Sequence, residues 1–101
     1  MRIEVHTRGL GDPRAARERT RRSLLFALGR FAPEVRRVTA TVEDLDGPRG
    51  GADKRCRLRA VLRAGGEPLV SEDVDAQLHA AIDTAAERLG RAVARRLDRR
   101  R

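Results

Sequence analysis

KRCRLRAVLR, residues 54–63, sets Cys56, Leu58, Ala60 and Leu62 at alternate positions, with Arg55, Arg57, Arg59, Val61 and Arg63 between them. A period of two sends successive side chains to opposite faces of a strand, so this stretch reads as a strand with one apolar and one cationic face. Downstream, Ala64, Gly65 and Gly66 make a tight turn into a further strand near Pro68 to Asp73, with Pro68 tolerated at its first residue. Upstream, Val38, Ala40 and Val42 alternate with Thr39, Thr41 and Glu43 as another strand, and Asp46 to Asp53 is left as a hairpin loop. Met1, Ile3 and Val5 alternate with Arg2, Glu4 and His6 in the same way, giving a first strand over residues 1–7.

Two stretches have a helical period instead. Asp12 is placed to cap a helix whose first residue, Pro13, has no N–H to leave unsatisfied. Ala16, Thr20, Leu24, Ala27, Leu28 and Phe31 then recur at three- and four-residue spacing, which predicts a helix to about Phe31, ended by Pro33. Arg14, Arg17 and Arg21 flank this stripe, while Arg19, Arg22 and Arg30 share the outer side with Phe26, whose ring is expected to pack at the edge of the sheet rather than on a base. After Asp75, a second N-cap, Leu78, Ile82, Ala85, Leu89, Val93 and Leu97 form the stripe of a longer helix. The order is β-α-β-β-β-α. The fold class that follows is α+β, a four-stranded sheet carrying both helices on its apolar face, with residues 1–101 forming one domain and a basic end at 98–101 that should fray.

The net charge of +8 is unevenly placed. Residues 13–31 hold six arginines against Glu18, and residues 88–101 hold seven against Asp98, so the rest of the chain is net acidic. A compositional bias can explain why every basic residue but Lys54 is arginine, but it does not explain this segregation. In the second helix the acids Asp75, Asp83 and Glu87 come early and the arginines late, as the helix dipole favours. One or two arginines would satisfy the dipole. The excess asks for a polyanion, and two helices on one side of a sheet would join both basic segments into a single surface.

Catalytic and metal chemistry find little support. A single cysteine allows neither an intramolecular disulfide nor paired thiolates for zinc, which fits a reducing, cytoplasmic setting. Cys56 alternates with core residues and reads as a buried thiol, and His79, next to Leu78, reads as a helix-edge side chain. Neither His6 nor His79 has a nucleophile to serve. The loop Gly47, Pro48, Arg49, Gly50, Gly51 has no Lys-Ser or Lys-Thr pair after it, and it joins two strands where the GxxG loop of a KH domain joins helices. With both phenylalanines in the first helix region and no Tyr or Trp, base-stacking strands of the RRM kind are absent, so recognition should rest on phosphates and RNA shape. The longest apolar run, Leu24 to Leu28, falls far short of the roughly 18 residues that span a bilayer, and no signal-peptide core is present. The expectation is a protein that is not an enzyme and uses no cofactor, metal, membrane or small-molecule substrate.

The segment Val70 to Arg96, VSEDVDAQLHAAIDTAAERLGRAVARR, resembles the end of the ribosome hibernation factor family, also called ribosome-associated inhibitor A or sigma-54 modulation proteins. Ala80 to Asp83, alanine-alanine-isoleucine-aspartate, carries the resemblance most clearly, followed by Leu89 and the spaced Arg88, Arg91 and Arg95. Ala16, Thr20, Leu24, Ala27 and Phe31 agree with the family's first-helix register, and GPRGGADKRCR, residues 47–57, is similar to the loop of short members. The resemblance implies a fold similar to double-stranded RNA-binding domains, seated on the small ribosomal subunit where messenger and transfer RNA would bind. It also implies rRNA contacts from the basic residues of both helices. The expected RNA-binding residues are Arg14, Arg17, Arg21, Arg22, Arg88, Arg91, Arg95 and Arg96, with Arg49, Lys54 and Arg55 as secondary candidates. Without the additional C-terminal domain of long members, the chain is expected to be a monomer off the ribosome. The alternatives are a general double-stranded RNA-binding module and a basic domain that docks an acidic protein.

Overall fold

The computed structural model describes residues 1–46 and 53–99. Its elements are β1 (Arg2–Arg8), α1 (Pro13–Leu28), a 3-10 helix (Gly29–Glu34), β2 (Val35–Asp44), β3 (Lys54–Leu62), β4 (Leu69–Asp75) and α2 (Leu78–Arg99). The expected β-α-β-β-β-α order holds. The strands lie in the sheet in chain order, β1 parallel to β2 through the α1 crossover and the other neighbours antiparallel.

One face of the sheet is the core. Val5, Val38, Ala40, Val42, Cys56, Leu58, Ala60 and Leu62 are buried there beneath Leu24 and Leu28 of α1 and Ile82, Leu89 and Val93 of α2. The apolar face of β3 is therefore on the side that carries the helices, with α2 lying against β3 and β4 and α1 against β1. On α2 the buried stripe is wider than its heptad-like pattern, taking in Ala81, Ala86 and Gly90 as well, because that helix packs on α1 in addition to β3 and β4. Small side chains at these positions let the helices approach.

A cap explains where α1 begins. Asp12 is extended and its carboxylate accepts the Arg14 N–H at 3.0 Å, with Pro13 opening the helix. Asp75, expected as the second cap, is instead the last residue of β4. Its carboxylate accepts the N–H of Gln77 at 2.8 Å in the turn ahead of α2, and it is the Gln77 carbonyl that accepts the first helical bond, from the Ala81 N–H at 3.1 Å. The end of α1 differs from expectation: the helix stops at Leu28, and Phe31 lies in the 3-10 turn. Pro33 is the cause, since its ring would collide with the carbonyl four residues back, at Gly29, and it has no N–H to continue the ladder. The tight turn delivers Val35 buried into β2, three residues ahead of the expected Val38. Asp98 and Arg99, expected to fray, are the last residues of α2, while Arg100 and Arg101 lie outside the described residues.

Candidate nucleic-acid interface

α1 and α2 run in the same direction, with Arg19 beside Asp83 near their starts and Ala27 against Gly90 further along. Arginines leave this helical layer in three directions. Arg17 and Arg21 reach over β1, donating to the carbonyls of Val5 at 3.0 Å and Ile3 at 3.4 Å. Arg88 and Arg96 reach over the opposite edge, donating to the carbonyls of Glu72 at 2.9 Å and Glu67 at 3.1 Å, and Arg88 also pairs with Asp73. Arg22 and Arg91 line the groove between the helices, each paired with the glutamate one turn earlier, Arg22 with Glu18 and Arg91 with Glu87. The eight expected residues thus share one layer but do not form one patch, because β1 and β4 are opposite edges of the sheet. Arg14 pairs with Asp12 at the start of α1, and Arg95 is exposed with no partner among the described residues.

The groove between α1 and α2 encloses about 800 Å³. Its exposed rim carries Arg22, Arg30, Phe26, Glu87 and Arg91, and its covered bottom is made of Ala27, Gly90 and Ala94. Arg19 closes one end by a two-pronged pair with Asp83, Nε to Oδ1 at 3.1 Å with the second nitrogen on Oδ2, and the Ser23 hydroxyl donates to the same carboxylate at 2.5 Å. The Arg19 guanidinium holds the Asp83 carboxyl below its ordinary range, helped by Ser23 and opposed by partial burial. Phe26 corrects an expectation. It does not pack on the sheet edge but is 94% exposed, since its place on α1 is on the side away from Leu24 and Leu28. Arg19 and Arg30 join the groove without having been singled out by sequence. Their helical phase beside Arg22 and Phe26 was the available signal.

The uncovered face of the sheet is a second cationic surface. Arg2, Arg8, Arg37, Arg55, Arg57 and Arg59 share it with Glu4, Glu43 and Glu72. Its acids are already engaged, Glu4 by Arg2 and both Glu43 and Glu72 by Arg55. Arg57 and Arg59 are exposed and have no partner among the described residues. The secondary candidates fare differently: Arg55 is neutralised by those two glutamates, Lys54 pairs with Asp44 at 3.2 Å, and Arg49, with the rest of the glycine-rich loop, lies outside the described residues. The strand alternation had marked Arg57 and Arg59 as outward-facing without selecting them.

Cys56 is buried, and burial with the nearby Asp73 charge pushes its thiol up to about 12, far from a nucleophile's range. His6 and His79 are both exposed. Among the described residues no group of three or more His, Cys, Asp or Glu side chains is placed to hold a metal, and no helix is long and apolar enough to cross a membrane.

Residues 3–101 match the family described as Sigma 54 modulation protein / S30EA ribosomal protein. Among solved structures, the N-terminal domain of Protein Y from Thermus thermophilus is similar at 25% identity and a TM-score of 0.74, over 94% of this chain and 98% of that one. A ribosomal subunit interface protein from Coxiella burnetii shares the fold at 15% identity and a TM-score of 0.77, over 97% of this chain and 99% of that one. No curated protein matches the sequence. With a match over nearly its whole length and the same fold as these structures, the chain belongs to the Sigma 54 modulation protein / S30EA ribosomal protein family, a family of ribosome-associated proteins and not of enzymes.

Proposed function

We propose that the chain is a cytoplasmic hibernation factor that binds small-subunit rRNA and, by occupying the messenger and transfer RNA sites, stops translation. The observation that carries this is the distribution of guanidinium groups over the helical layer. Arg91, Arg95, Arg96 and Arg99 crowd the last turns of α2, where Asp98 is the only acid. The helix dipole accounts for a fraction of that excess, and phosphates account for the remainder. Arginine suits the role because its planar fork can grip a phosphate in two bonds. Arg14, Arg17, Arg21 and Arg22 extend the contact along α1, with Arg88 at the β4 edge. The protein acts as a monomer before it docks, with no cofactor or small-molecule substrate.

Sedimentation with small subunits, large subunits and intact ribosomes tests this. Stoichiometric binding to small subunits that survives near-physiological salt is expected, and it should be lost when Arg88, Arg91, Arg95 and Arg96 are changed to glutamate. A variant of this kind that still co-sediments would overturn the contact assignment. Equal affinity for small subunits and arbitrary RNA duplexes would instead make the protein a general double-stranded RNA binder.

A further inference from the structure

Phe26 is 94% exposed in a chain that has only two aromatic residues, and Leu25 beside it is 57% exposed. Nothing in the fold requires a ring there. α1 closes its core with Leu24 and Leu28, and the other aromatic, Phe31, is half-covered with the Arg30 guanidinium 4.6 Å from its centroid. The ring stands on the rim of the interhelical groove, above a bottom of small residues that exists because Gly90 lets Ala27 come close. Three guanidiniums, those of Arg22, Arg30 and Arg91, share that rim; Arg22 and Arg91 each pair in solvent with a glutamate one turn earlier, Glu18 and Glu87, and Arg30 has no acid partner among the described residues.

We infer that this groove receives one unpaired RNA base, stacked on Phe26, with the flanking phosphates held by Arg22, Arg30 and Arg91. The inference rests on the RNA-binding reading above and adds to it a site that reads single-stranded structure. An apolar side chain from a protein partner would cover the ring but would also strip water from the exposed rim arginines and give Arg30, which has no acid partner among the described residues, no counter-charge. A nucleotide offers both a flat apolar face and an anion, the pair of chemistries the rim displays. A paired base keeps its faces stacked on its neighbours, so the occupant is a base in a loop, a bulge or a single strand.

The chain contains neither Trp nor Tyr, so Phe26→Trp introduces a sole indole fluorophore at the site. The expected result is that small subunits quench its emission, as does a short single-stranded oligoadenylate, whereas an RNA duplex of the same length does so far less. Phe26→Ala should weaken small-subunit binding by about tenfold with an unchanged melting temperature, and Phe26→Trp should restore it. Unquenched emission on bound small subunits together with full affinity of Phe26→Ala would overturn the inference. A change in emission with protein concentration alone would also overturn it, by assigning the groove to a second copy of the chain. If the wild-type protein ignores small subunits while the oligonucleotide still quenches Phe26→Trp, the ribosomal reading fails and the base site stands.

Discussion

The backbone of Gly90 sits so close to α1 that a Cβ at that position would stand 2.9 Å from the carbonyl oxygen of Ala27. The obstacle is backbone inside a helix, which cannot rotate aside as a side chain could. Gly90→Ala should therefore destabilise the protein, although alanine is the better helix former by about 1 kcal/mol. Overpacking of this kind costs roughly 1 to 3 kcal/mol, so a net loss of about 1 kcal/mol is expected in urea unfolding. An alanine variant more stable than the wild type would mean that the helices can part without penalty.

Asp83 predicts a pH response. Its folded pKa lies below the ordinary 3.8 because Arg19 hydrogen-bonds the ionised carboxylate. The stabilisation is thus fully present above about pH 4 and is lost as pH falls through the lower, folded value. The two side chains are 40% and 43% exposed, so solvent screening keeps the contribution of the pair small. Melting temperatures of the wild type and Asp83→Asn should differ at pH 6 and converge toward pH 2. Curves that stay parallel throughout would exclude the pair as a source of acid sensitivity.

Cys56 should resist alkylation in the folded protein. Burial raises its thiol from 9.0 to about 12, so at pH 8 almost no thiolate exists and little of the side chain is reachable. Iodoacetamide should label it only in denaturant. Because the unfolded chain ionises this thiol more readily, stability should hold below about pH 9 and decline as pH rises from there toward 12.

Arg95 provides the cleanest test of the phosphate contacts, since it has no partner among the described residues whose loss could confuse the result. Arg95→Gln should leave urea stability within about 0.5 kcal/mol of wild type. It should also reduce the slope of log affinity against log salt by about one, the contribution of a single phosphate. An unchanged slope would remove Arg95 from the interface.

The fold was readable because β3 states its own orientation. Cys56, Leu58, Ala60 and Leu62 fix which face is buried, and Asp12-Pro13 marks where α1 starts, while Asp75 closes β4 and shapes the turn that leads into α2. The end of α1 was harder, since Phe31 keeps the helical phase while Pro33 forces the tighter turn before it. The interface was legible only as a charge excess. Which edge an arginine leans over depends on the direction of its helix relative to the sheet, as Arg17 over Val5 and Arg88 over Glu72 illustrate. Phe26 was misplaced because a ring near an apolar stripe normally packs, and only the position of α2 shows that no surface is there to receive it.

The parallel pairing of β1 with β2 also dictates an order of assembly. Ile3 finds its partner Val38 only after the whole α1 crossover has been traversed, whereas β2, β3 and β4 meet through near-neighbour connections. Closing the longer loop costs more chain entropy before any contact repays it. The meander with α2 laid on β3 and β4 should form early, and β1, though made before the other three strands, should be the last to join the sheet. In pulse-labelled hydrogen exchange, the amides of Ile3 to Thr7 should gain protection after those of Arg57 to Ala60.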